Sequence, residues 1–139
     1  MKLSAKGRHA PPPTLPKHAQ TVSEALATWR GVWARTHWFL GDESQVDGAD
    51  FYLGEDELGH LHLDGEAHIA VSAPLRDALI LEGLAKPFRW SPSFVVFQVQ
   101  TAKDVAPAKR LFELAYDRLR GTSEHELLAR VASTLTRAG

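Results

Sequence analysis

Hydrophobic positions recur with two different periods along the chain, and the change of period separates helices from strands. Val22, Ala25, Leu26, Trp29 and Trp33 fall on one face at helical spacing. Thr21 with Glu24 forms a capping-box pair, which places the helix start at Thr21. The two tryptophans on that stripe are expected as core anchors. From residue 37 to residue 71 the pattern turns to that of strands. Residues 37–40 (HWFL) form a short apolar run, residues 41–50 (GDESQVDGAD) read as a polar, turn-rich connection, and Phe51, Tyr52 and Leu53 resume extended structure. After a turn at Gly54-Glu55-Asp56, residues 58–63 and 66–71 form a hairpin around Asp64-Gly65.

Helical spacing returns in the second half. Ser72 can cap a helix that opens Ala73-Pro74, continues through Leu75, Ala78 and Leu79, and stops near Gly83. Residues 94–100 (FVVFQVQ) have the highest β-propensity in the chain. Val105, Ala108, Phe112, Ala115 and Leu119 then mark a long helix. A start at Asp104 puts Pro107 in the first turn, where its missing N–H costs nothing, and Gly121 ends the helix. Ser123 and Glu126 open a terminal helix bearing Leu127, Leu128, Val131 and Leu135. That helix can pack on its own domain or on a second subunit, which would make a homodimer. The order of elements lacks β-α-β-α alternation, so the expected fold is α+β, an antiparallel sheet with helices packed on one face.

Composition narrows the class. With 139 residues the chain is one domain in length. The first twenty residues carry four of the eight prolines and read as a flexible arm before a domain over 21–139. Met1 to Ala10 is basic, but Pro11 to Pro13 follow where the apolar stretch of a signal peptide would stand. Charges interrupt every apolar run, so no membrane partner is expected. The absence of cysteine excludes disulfides, thiolate ligands and a cysteine nucleophile, and suits a cytoplasmic protein. Sixteen basic and seventeen acidic residues leave no global field for nucleic acid. Lys103, Lys109, Arg110, Arg118 and Arg120 do line the long helix, but Glu113 and Asp117 interrupt them, so a nucleic-acid partner is disfavoured. Neither GxGxxG nor GxxxxGK[ST] occurs.

One segment carries chemistry. His60, His62 and His68 lie in ELGHLHLDGEAHIAV. His60 and His62 point the same way on a strand. The register of the hairpin decides where His68 points. A two-residue Asp64-Gly65 turn would pair Leu61 with His68 and mix histidine with apolar residues on both faces. A three-residue loop with glycine in the left-handed position shifts the pairing by one. Leu61, Leu63, Ala67, Ile69 and Val71 then share one face, and His60, His62, His68 and Glu66 share the other. A one-residue slip inverts a strand, so the register that sorts apolar from polar is expected. Three imidazoles in reach of one another can hold a divalent metal such as zinc. They can equally serve as acids, bases and hydrogen-bond donors in a metal-free pocket, or form the plain solvent face of a half-buried sheet.

Glu57-Leu58-Gly59-His60-Leu61-His62, then Asp64-Gly65 and His68, give the pattern E-x-x-H-x-H…DG-x-x-H. Together with the helix SAPLRDALILEG, the strand FVVFQV and the helix ending at Tyr116, it resembles the luciferase domain, a family of small and largely uncharacterised proteins. The resemblance runs from about Phe51 to Arg120, roughly half the chain. The order of elements is also similar to the double-wing fold of YjbR-like proteins. Many family members place Gly-Trp and Arg-His after the middle helix, where this chain reads Gly83-Leu84-Ala85-Lys86-Pro87-Phe88-Arg89-Trp90. A site that needs the later histidine would be incomplete here. The family's name does not imply light emission, because the chain shows no adenylating, flavin-binding or oxygen-activating signature. The resemblance implies a small binding or interaction module, for a small molecule or a protein, with its working face on the hairpin. An enzyme on the same face would use His60, His62 and His68 as metal ligands and Glu57 or Glu66 as base.

Overall fold

A computed structural model of the chain describes residues 12–39 and 42–138, the side chains of 42–44 and 134–138 excepted. Six strands form one antiparallel sheet in the order β1-β2-β3-β4-β6-β5: β1 Val32–Phe39, β2 Asp42–Leu53, β3 Asp56–His62, β4 Glu66–Ala70, β5 Lys86–Pro87 and β6 Phe94–Gln98. Among the described residues four α-helices accompany it: α1 Lys17–Ala27, α2 Ala73–Leu81, α3 Val105–Leu119 and α4 Glu124–Ala138. The α+β class and the antiparallel sheet are those expected from the element order.

The core lies between the helices and one face of the sheet. Ala49, Phe51, Leu58, Leu61, Ala67, Ile69 and Val95 supply the sheet side, all fully buried. Phe112 of α3 meets Phe51 edge-on, with ring centroids 6.1 Å apart. Each large apolar side chain buried there contributes about 1.5–3 kcal/mol. Gly59 is what lets α3 come so close. A Cβ at that position would lie 2.2 Å from the His68 carbonyl oxygen and 2.9 Å from the Phe112 ring.

The hairpin takes the register that sorts its faces. Gly59 pairs with Ile69, His60 with His68 and Leu61 with Ala67, across a three-residue loop. The loop closes through Gly65 N–H to the His62 carbonyl (3.0 Å), with Gly65 at φ +89°. Leu63 departs from the expectation: it belongs to the loop and is exposed rather than sharing the apolar face.

Helix ends in the second half follow the local signals. Ser72 Oγ accepts from Leu75 N–H, Ser123 Oγ accepts from Glu126 N–H, and Gly83 and Gly121 follow the ends of α2 and α3 with positive φ. Asp104 closes a 3-10 turn (Ala102–Asp104) ahead of α3 and accepts from the N–H groups of Gln100 and Thr101. Leu127 and Val131 of α4 are buried in the domain's own core, so this helix packs on its own chain; Leu135 lies outside the described side chains.

The first half departs further. Helix α1 begins at Lys17, not Thr21; the Thr21 hydroxyl donates to the Lys17 carbonyl inside the helix, and no side chain caps Pro16. Burial of Leu15 and Ala19 explains the earlier start, because docking on the core outweighs the missing cap. Residues 1–11 of the expected arm lie outside the described residues. Trp33 is no helical core anchor. It stands on β1, stacked on Tyr52 at 4.8 Å, and its Nε1–H donates to the Gly54 carbonyl. Trp29 lies beyond the helix end and packs on Tyr116 at 5.3 Å. Residues 42–50, expected as a polar connection, are the first part of the twelve-residue strand β2.

Gly65 fixes the hairpin loop that brings His68 opposite His60. An added Cβ would sit 2.4 Å from the Val99 carbonyl oxygen, in a backbone conformation that disfavours side chains. Gly65→Ala is expected to destabilise the domain by about 1–3 kcal/mol, read as a lower urea midpoint at an unchanged slope.

Candidate metal centre

The sheet face turned away from the helices carries four imidazoles. His60 and His62 project from β3, His68 from β4 and His37 from β1, where His37 pairs with Gly48 of β2. The rings contact one another: His37 stacks on His60 at 4.3 Å, and His68 lies 4.7 Å from His60 and 4.6 Å from His62. All four are half-buried or buried, so this is not a plain solvent face.

Each ring has a carboxylate beside it. His60 Nδ1 is 2.8 Å from Glu57 Oε2, His62 Nδ1 is 2.8 Å from Asp47 Oδ2, and His68 Nε2 is 3.2 Å from Glu66 Oε1. His37 Nδ1 lies 2.7 Å from Asp50 Oδ1. Glu57 reaches His60 because of a β-bulge. Phe51 pairs with Gly59 but Tyr52 pairs with Glu57, which leaves Leu58 as the extra residue, buried in the core. Simple alternation would have sent Glu57 to the face opposite His60.

Pinning one nitrogen of each ring aims the other. His60 Nε2 is 2.8 Å and His62 Nε2 is 3.4 Å from His68 Nδ1. In the neutral form each pinned nitrogen donates its N–H to its carboxylate, so His60 Nε2 and His62 Nε2 each turn a lone pair toward that of His68 Nδ1. One shared proton satisfies one such pair; a cation satisfies all three. Two nitrogens on one tetrahedral zinc ion, each about 2.0–2.1 Å from it, lie about 3.3 Å apart. Three groups of side chains bring a donor atom from each member within 4.8 Å of the others: His37, His60 and His62; His62, Glu66 and His68; and Asp50, Glu57 and His60.

The electrostatics favour a cation. Asp47, Asp50, Glu57 and Glu66 lie among the rings, and the Arg35 guanidinium balances one of them: its Nε lies 3.3 Å from Asp50 Oδ2, and it also donates to the Tyr52 hydroxyl. Burial, then the neighbouring His60, His62 and His37, push the His68 pKa down to about 3, so at neutral pH His68 presents a lone pair rather than a proton. Burial and His60 lower His62 as well, against the pull of Asp47. Burial also acts to lower His37, but the close contact with Asp50 and the charges of Asp50, Asp47 and Glu57 outweigh it and raise the pKa. Burial, reinforced by Asp50 and Glu57, pushes Tyr52 up to about 12.

All five residues expected from the sequence, Glu57, His60, His62, Glu66 and His68, therefore lie on one face. His37, Asp47 and Asp50 were not expected. The signal for His37 was its place among apolar residues in HWF, but without strand β2 nothing connected that run to the hairpin. Phe88 closes one flank, 4.6 Å from the His68 ring and 6.0 Å from Phe94.

Residues 55–115 match the family model described as the luciferase domain. The matched span contains Glu57, His60, His62, Glu66 and His68; His37, Asp47 and Asp50 precede it. No curated protein and no solved structure matches the chain. Among the described residues, no helix is long and apolar enough to cross a membrane.

The histidine shifts predict how stability follows pH. The unfolded state binds a proton on His68 below about pH 6.5, whereas the folded state resists it to about pH 3. His68, with His62 in the same sense, therefore contributes stability that is lost as pH falls below 6.5. His37 has the opposite sign: its contribution is complete below its unfolded pKa and is lost as pH rises through the folded one. Metal-free protein is expected to lose stability between pH 6.5 and 4, with His68 contributing up to about 1.4 kcal/mol per pH unit. His68→Gln should flatten that slope in urea titrations across the window; parallel slopes would exclude the assignment.

Proposed function

We propose that this domain binds a divalent transition-metal ion on its histidine face. His60 Nε2, His62 Nε2 and His68 Nδ1 are the ligating atoms, and Glu66 is within reach as a fourth donor. The observation that carries the reading is that His60 Nε2 and His62 Nε2 both meet His68 Nδ1, while the opposite nitrogen of each ring is held by a carboxylate. Such pairing fixes the tautomer, sets the ring orientation and strengthens the ligand in histidine metal sites. The donor set of neutral imidazoles and carboxylate, without thiolate, suits zinc, iron, nickel or copper.

A metal held by three imidazoles retains a coordination position for water or for a ligand, and it would supply Lewis acidity there. The chain's own residues orient the rings, through Asp47 and Glu57, and keep the site apolar on the Phe88 and Phe94 side. Glu66 has two carboxylate oxygens and is half-exposed, so it can take a proton from a molecule arriving from solvent as well as hold His68. A cytoplasmic setting fits a chain without cysteine. As a small binding module, the domain would take its partner through this face.

Protein purified without a histidine tag is expected to retain close to stoichiometric zinc or iron by elemental analysis, and the His60→Ala/His62→Ala variant is expected to retain none. Adding Zn2+ at a hundredfold excess over its Kd should stabilise the parent by about 2.7 kcal/mol, a rise in Tm of roughly 10 °C. No bound metal and no Tm shift with any divalent ion would overturn the reading.

A further inference from the structure

The histidine face holds more donors than one ion uses. Two of its groups share no residue: His62, Glu66 and His68 at the hairpin end, and Asp50, Glu57 and His60 toward β2. His60 stands between them. Its Nε2 faces His68 Nδ1 at 2.8 Å, and its Nδ1 faces Glu57 Oε2 at 2.8 Å and Asp50 Oδ1 at 3.9 Å.

Asp50 marks the second group as more than an orienting shell. It is 6% exposed, yet its Oδ1 has no donor aligned for a hydrogen bond, although His37 Nδ1 lies 2.7 Å away. A buried carboxylate oxygen left without a partner costs free energy of the order of kilocalories. Arg35 engages the other oxygen, Oδ2, and leaves Oδ1 directed at the imidazoles. Two carboxylates and one imidazole around a partly buried point form a borderline-to-hard donor set of the kind that holds Mn2+, Fe2+ or Zn2+.

We infer that the face is a dinuclear centre, with a second divalent cation bound by Asp50, Glu57 and His60 Nδ1. The inference rests on the metal reading above for its first ion. At the second position the cation takes the place of the proton between His60 and Glu57. His60 then bridges the two ions as an imidazolate, and the displaced proton passes to solvent. Asp50 Oδ1 gains the partner it lacks. An ion at either position would polarise an oxygen ligand such as an oxyanion or a hydrolysable ester, which is the ligand class expected at this face.

The test is the stoichiometry of metal bound to the full chain, with Zn2+ and separately Mn2+ titrated into metal-free protein by calorimetry against a competing chelator. Two equivalents per chain are expected for the parent. Asp50→Asn and, independently, Glu57→Gln should each reduce this to one, and His68→Gln should remove the equivalent at the hairpin end. Glu57 is the more exposed of the two carboxylates, so Glu57→Gln keeps the test valid if Asp50→Asn does not fold, as read by circular dichroism. One equivalent in the parent, or two in Glu57→Gln, overturns the second position and leaves the first standing. No binding in the parent overturns both.

Discussion

Every property of the histidine face depends on one pairing, that of His60 with His68 across the β3–β4 hairpin. Side chains alternate along a strand, so a slip of one residue would send His68 into the core and Ile69 to the surface. The three-residue loop prevents that slip, and Gly65 makes the loop possible because its backbone conformation and the adjacent Val99 carbonyl leave no room for a Cβ. Burial of Leu61, Ala67 and Ile69 against α3 holds the same register from the opposite face. The core and the site are thus two consequences of one alignment.

A single irregularity adds the remaining order. The bulge at Leu58 lets two successive residues serve different faces, with Leu58 in the core and Glu57 against His60. Without it His60 would lose the carboxylate that fixes its tautomer. Asp47 and Glu66 do the same for His62 and His68, and Asp50 lies beside His37, so the face is organised around four pairs rather than around four separate histidines. Burial, and then the neighbouring rings, lower the proton affinity of His62 and His68, while the surrounding carboxylates attract positive charge. A metal ion meets both conditions, because it binds the lone pairs and balances the acids.

The hairpin and the second half were legible in the sequence because each signal there agreed with the fold. Sorting Leu61, Ala67 and Ile69 from the histidines selected the loop length, and Ser72, Gly83, Ser123 and Gly121 marked helix ends through their own chemistry. The first half was less legible for physical reasons. Residues 42–50 are polar and glycine-containing, yet they pair with β1 along most of their length and with β3 from Gly48 onward, and that support comes from distant residues. Local propensity carries no trace of it. Missing β2 concealed Asp47 and Asp50, and it left His37 without a route to the site. Thr21 and Glu24 form a valid capping pair, but burial of Leu15 and Ala19 extended the helix past them. Trp33 kept helical spacing from Trp29 by coincidence, since the chain turns at Gly31 between them.

The most direct measurement is an anomalous difference map, at the zinc absorption edge, from crystals of the protein grown with Zn2+. A peak within about 2.0–2.1 Å of His60 Nε2, His62 Nε2 and His68 Nδ1 is the result predicted. A map without a peak at this face, with the three nitrogens sharing protons among themselves, would contradict the metal centre and leave a metal-free histidine network.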